Sequence, residues 1–229
     1  MKKRGRWKKI LFISIISIVS IILILMLLNV LLRKEVPLEE KQRQELLKLF
    51  PSELVNSINI YKGGVVPWGA PKATCGKIYY DKTSYSGKEF LTNPLSISSL
   101  TSLVHETTHQ YQYKKGFLSC VKSGASSILH QFRAFLLHGS RNYAYLYPLN
   151  TDNNIFSPKG YYNPEQEAEI VEDYYYLKLL DGNESLISCY SCEDYSNKDT
   201  CYSCSSFNSK EEILQILETH YQDIMEKYQ

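Results

Sequence analysis

Apolar residues recur along this chain with two clear periods, after an opening run that has none. From Ile10 to Leu32 there are 23 uncharged residues, with Asn29 the most polar among them. Beyond that run, apolar positions at helical spacing predict five helices. The first, over 39–49, is short and ends at Pro51. The second follows the N-cap candidates Ser96, Ser98 and Ser99 and carries Leu100, Leu103 and Val104, with Gly116 after Lys114 and Lys115 as its stop signal. The third spans 126–137, with Ile128, Leu129, Phe132, Leu136 and Leu137 as its apolar stripe. The fourth starts at Asn163, with Pro164 at its first position, and runs to Leu180. The last covers 211–228. Alternation at Ile58–Lys62 predicts a strand, closed by Gly63 and Gly64, and Gly76–Asp81 reads as a second.

Charge changes the reading at the N-terminus. Lys2, Lys3, Arg4, Arg6, Lys8 and Lys9 precede the apolar run, which is long enough to cross a bilayer as a helix. A cleaved signal would have a shorter apolar core and a small-residue cleavage site, and neither is present. The expectation is a single-pass membrane protein: a basic cytoplasmic N-terminus over 1–9, a span through the lipid bilayer over 10–32, a stalk helix over 33–50 and an ectodomain over 51–229. The excess of basic residues before the span places that domain outside, periplasmic or extracellular. The formal net charge of the whole chain is only +2, and much of the positive charge lies in the first nine residues. That balance excludes a nucleic-acid partner. Nineteen tyrosines and ordinary apolar content indicate a packed domain.

The second helix carries the candidate chemistry. His105-Glu106-Thr107-Thr108-His109 is an H-E-x-x-H motif. Residues four apart share a helix face, so both histidines can reach one metal ion. Glu106 is then placed to hold and deprotonate a water activated there. Zinc, the cofactor this motif suggests, still needs a third protein ligand. On the fourth helix, Glu165, Glu169, Glu172 and Asp173 share one face. Glutamates also favour a first helical turn for dipole reasons alone. His130 and His138 read as structural, and His220 has no partner that spacing reveals.

Six cysteines remain. Cys189-x-x-Cys192 and Cys201-x-x-Cys204 fall in an insertion over 188–205, and Cys75 and Cys120 lie apart. In a reducing compartment the two C-x-x-C pairs would read as a small zinc site. Outside the cell they read as part of three disulfides, Cys75 with Cys120 being one pair and the other four locking a hairpin.

Ile58–Tyr61, Ala73–Tyr79, His105–Gln112 and Glu165–Tyr174 together resemble the bacterial zincin-like metallopeptidases, specifically the Vgr-related proteins and the zincin-like core domain of contractile injection systems. The resemblance covers roughly residues 50–180. It implies an α+β zincin-like domain, mainly helical with a small sheet, which here would stand behind the N-terminal transmembrane helix. It implies His105, His109 and a later glutamate as zinc ligands, with Glu106 as general base. Glu165-x-x-Ala168-Glu169 matches one family pattern, making Glu165 the ligand and Glu169 its helper. Glu169-x-x-x-Asp173 matches another, making Glu169 the ligand and Asp173 its helper. The expected activity is hydrolysis of a peptide or protein substrate. Tyr143, Tyr145, Tyr161 and Tyr162 are candidates to steady the oxyanion, and the strand at Gly76–Tyr80 is the expected edge for an extended peptide. The alternative is a zinc-binding, non-catalytic surface module that holds a protein or envelope partner.

Overall fold

The computed structural model describes residues 33–62, 72–74, 76–80, 85–114, 117–150, 153–154, 160–192, 201–206 and 208–229, together with Ser17 and Ser20. Two small sheets flank a body of helices. The first sheet contains β1 (Lys34–Val36), β2 (Asn59–Lys62), β3 (Lys72–Thr74) and β4 (Lys77–Tyr80), in the order β1-β2-β4-β3. Only the central pair, β2 and β4, runs parallel. The second sheet joins β5 (Tyr147–Pro148) to the antiparallel hairpin of β6 (Cys189–Cys192) and β7 (Cys201–Ser203). The helices are α1 (Glu40–Leu47), α2 (Ser52–Ser57), α3 (Tyr85–Thr92), α4 (Ile97–Gln112), α5 (Phe117–His138), α6 (Pro164–Leu179) and α7 (Lys210–Tyr228).

No helix among the described residues is long and apolar enough to cross a membrane. This corrects the expected fold with its transmembrane helix, and with it the single-pass placement of the chain. The longest described helix, α5, interrupts its apolar residues with serines, Gln131, Lys122 and Arg133, so its hydropathy falls short of a span. The apolar run at 10–32 lies outside the described residues except for Ser17 and Ser20. The segment expected to be a stalk packs into the body. Leu46 of α1 is fully buried, and Leu49 and Phe50 join the same core. Gln42 of α1 donates to the Pro94 carbonyl at 3.1 Å, just ahead of α4.

Helix α4 is the axis of the body. Ser96 caps it, accepting from the Ser99 amide at 3.2 Å. Leu103 and Val104 bury against the core, and every residue from Leu103 to Gln112 is buried. A polar turn in that position is stable only if its groups find partners. Thr108 donates to the Val104 carbonyl at 3.0 Å. Gln110 accepts from the Gly76 amide at 2.7 Å and donates to the Lys77 carbonyl at 3.0 Å. That amide therefore ties the start of β4 to α4. Gly76 itself has φ +76, a left-handed conformation that glycine takes without strain. Strand β4 lies inside the sheet and β3 is its edge, so the edge expected at Gly76–Tyr80 falls one strand away. Strand order depends on pairing partners far apart in sequence, and alternation does not encode it.

Helix α5 departs from expectation in orientation. Its predicted stripe exists, but Ile128, Leu129, Phe132, Leu136 and Leu137 face solvent. The small or polar Cys120, Ser127 and Ala134 face inward. Cys189 is bonded to Cys204, and Cys120 and Cys201 each take part in a disulfide of their own. Cys192 stands opposite Cys201 in the β6–β7 ladder, and Cys75 lies outside the described residues. The disulfide reading thus holds for the described cysteines, and the zinc reading of the C-x-x-C pairs is set aside. His220 does have partners: it stands 3.2 Å from the Tyr162 hydroxyl and 2.9 Å from the Leu149 carbonyl.

Replacing Gln110 by Ala removes the bonds that join α4 to the β3–β4 turn. The expected cost is about 1–3 kcal/mol of unfolding free energy, read from urea denaturation of the variant beside the parent.

Candidate metal centre

The centre forms where α4 packs against α6. Asn163 caps α6 through its side-chain oxygen, which accepts from the Glu165 amide at 2.9 Å and the Gln166 amide at 3.1 Å. This cap fixes Glu165 in the first turn, where the helix dipole favours a carboxylate. His105 and His109 face it from α4. Glu165 Oε2 lies 3.5 Å from His105 Nε2 and 3.4 Å from His109 Nε2. All three side chains are buried. Together they make a group that can hold a metal ion. Two donors that share a tetrahedral ion with bonds of about 2.0–2.1 Å stand about 3.4 Å apart, so the observed separations match the edges of such a tetrahedron.

The second nitrogen of each imidazole is also engaged. His105 Nδ1 lies 3.0 Å from Glu172 Oε2 and 3.4 Å from Glu169 Oε2. A carboxylate can only accept there, so Nδ1 carries the proton and Nε2 is left as the ligand atom. His109 Nδ1 lies 2.9 Å from Gln112 Oε1. The Gln112 amide nitrogen donates at 3.0 Å both to Glu167 Oε2 and to the Pro164 carbonyl. That orientation makes its oxygen the acceptor, so His109 too is protonated at Nδ1 and presents Nε2. Glu167 in turn accepts from Lys227 and, at 2.7 Å, from the Tyr228 hydroxyl. The last turn of α7 therefore braces a metal-facing histidine. On the other side, Gln131 of α5 donates to Glu165 Oε1 at 2.9 Å.

Charge balance in this buried group follows from its contacts. Burial opposes protonation of His105, but hydrogen bonds to Glu165, Glu169 and Glu172 outweigh it and raise its pKa well above the ordinary value. His109 is raised in the same contest, chiefly by Glu165. Burial would raise Glu165, yet the two histidines pull it below the usual carboxylate range. Glu106 shifts upward because it is buried, and the nearby histidines only partly offset this. The Ala73 backbone of edge strand β3 also offsets the shift slightly, acting on the Glu106 carboxylate. Its Oε2 is buried with no hydrogen-bond partner among the described residues. An orphaned carboxylate oxygen beside two imidazoles suits a polar ligand, because leaving it unsolvated is costly.

The structure brings His105, Glu106, His109 and Glu165 together, as the sequence pattern anticipates. Glu169 touches the face of His105 turned away from Glu165, and the Ser188 hydroxyl donates to it. Asp173 sits one turn further on, accepting from the Tyr147 hydroxyl at 2.7 Å and the Ser188 amide at 2.9 Å. Burial and the neighbouring Glu169 push its pKa up. Of the four tyrosine candidates only Tyr145 lies against a site histidine, its ring 5.9 Å from that of His105. Tyr143 packs on His138, Tyr162 bonds to Pro148 and His220, and Tyr161 is exposed. Tyr113, stacked on His109 at 6.3 Å, was not anticipated. Nor were Gln112 and Gln131. Gln112 lies three residues after His109, a spacing that could have signalled it, whereas nothing local points to Gln131.

No family model, no curated protein and no solved structure matches the chain. The site therefore rests on its own geometry.

Substituting Gln112 by Leu removes the acceptor that orients His109. Metal affinity should fall about 10–100-fold in a competition titration against a chromophoric chelator, with the circular dichroism spectrum unchanged.

Proposed function

We propose that this protein is a zinc-dependent metallopeptidase, with His105, His109 and Glu165 holding the ion. The observation that carries this reading is the spacing of the three ligand atoms, with Glu165 Oε2 at 3.5 and 3.4 Å from the two imidazole nitrogens. Two imidazoles and one carboxylate favour zinc over calcium or magnesium, which prefer all-oxygen shells. When bound, zinc polarises a peptide carbonyl and makes water nucleophilic near neutral pH.

The chain's own residues supply the remaining steps. Glu106, with its raised pKa and orphaned Oε2, accepts a proton from the attacking water and delivers it to the leaving amine. A base tuned toward the working pH does this best. Tyr145 and Tyr113 stay protonated, because burial and the nearby carboxylates raise both. Each can therefore donate a hydrogen bond to developing negative charge. Edge strand β3, whose Ala73 backbone acts on the Glu106 carboxylate, offers backbone groups to an extended peptide.

The test uses zinc-loaded protein and a mixed-sequence quenched-fluorescence peptide library. The parent should cleave it. Glu106→Gln should lose at least about 100-fold in rate while binding zinc as tightly as the parent. Full activity in Glu106→Gln would overturn the general-base role, and an inert, zinc-loaded parent would favour the non-catalytic zinc module.

A further inference from the structure

Helix α5 is amphipathic in reverse. Cys120, Ser127 and Ala134, at helical spacing, are buried, and Gln131 on the same side reaches Glu165. On the opposite side, eight apolar residues from Leu118 to Leu137 are 50 to 83% exposed, among them Ile128, Leu129, Phe132 and Phe135. They leave about 1,000 Å² of apolar surface facing water, beyond the about 300–600 Å² of the largest patch on an ordinary monomer. A patch of that size on one straight helix marks an interaction surface.

Charge identifies the partner. Between Glu106 and Asp152 there is no Asp or Glu, while Lys114, Lys115, Lys122, Arg133 and Arg141 fall in the same stretch. Lys122 and Arg133 are both exposed and stand eleven residues apart. That is three helical turns, so both leave α5 along one flank of the apolar stripe. A second copy of this chain is disfavoured. Pairing two α5 helices in antiparallel fashion about Ile128 sets Lys122 of one beside Arg133 of the other, and parallel pairing sets each against itself. An apolar ridge flanked by cations, on a helix that carries no carboxylate of its own, instead fits the boundary between anionic headgroups and acyl chains.

We propose that α5 docks the folded domain onto an anionic lipid surface. The helix lies along that surface without crossing it, its stripe sunk among the acyl chains and Lys122 and Arg133 against the headgroups. The metal-centre side of α5 faces away from the lipid. This inference does not depend on the peptidase reading.

The experiment is flotation of the full chain with vesicles of phosphatidylcholine, with and without phosphatidylglycerol. Three proteins are compared: the parent, the triple variant Ile128→Ser, Phe132→Ser, Phe135→Ser, and the double variant Lys122→Gln, Arg133→Gln. Circular dichroism and metal content report whether each is folded. The parent should float with the phosphatidylglycerol vesicles. The triple variant should bind at least about tenfold more weakly, and the double variant should lose most of the preference for anionic vesicles. Equal flotation of all three proteins would assign any binding to another part of the chain and overturn the proposal. So would a parent that does not float. A parent dimer in light scattering that the triple variant abolishes would give the face to a second copy. If the triple variant does not fold, the double variant decides alone, because its two positions are exposed.

Discussion

The centre of this fold depends on one carboxylate, Glu165, buried between two imidazoles. A lone buried carboxylate or imidazolium is strongly disfavoured, so the three groups are tolerable only in one another's company or around a cation. Their contacts at 3.4 and 3.5 Å serve both conditions. Without an ion, protons on the histidines balance the charge; with one, the same atoms stand at coordination distance. The α4–α6 packing is thereby committed to a polar interface where most helix pairs are apolar.

That commitment spreads outward. Glu169 and Glu172 fix one histidine and Gln112 the other. Gln112 leans on Glu167, and Glu167 on Lys227 and Tyr228 at the far end of the chain. Gln131 holds Glu165 from α5, and Ser188 holds Glu169 and Asp173 at the approach to the cysteine hairpin. Apart from Gln112, which is close to His109 in sequence, these supports come from other segments of the chain. Fixed orientation of ligand side chains is what lets a metal site bind tightly and position water, and it comes from such outer contacts.

Parts of this were legible in the sequence because they are encoded locally. The four-residue spacing of His105 and His109 specifies a shared helix face, and Asn163-Pro164 announces the start of α6. The strand at 58–62 alternates, and the one at 76–81 carries three adjacent strand-favouring residues, Ile78, Tyr79 and Tyr80. Other parts depend on partners that local pattern does not name. The stripe on α5 was visible, but a helical moment has no inside or outside until its neighbours are known. Glu165 and Glu169 lie on one face, and either could have met the histidines. The rotation of α6 about its axis places Glu165 at the two Nε2 atoms and Glu169 behind His105. The edge of the sheet is β3 because β4 pairs with β2 from a distance. The apolar run at the N-terminus reads as a span by hydropathy, whereas no described helix has that character.

The most direct test of the account is anomalous diffraction at the zinc edge from crystals of the full chain grown with zinc. The account predicts one site, within about 2.0–2.2 Å of His105 Nε2, His109 Nε2 and a Glu165 oxygen, with Glu106 beside it. A peak on the other side of His105, held by Nδ1 with Glu169 and Glu172, would contradict it, as would zinc bound away from α4 altogether.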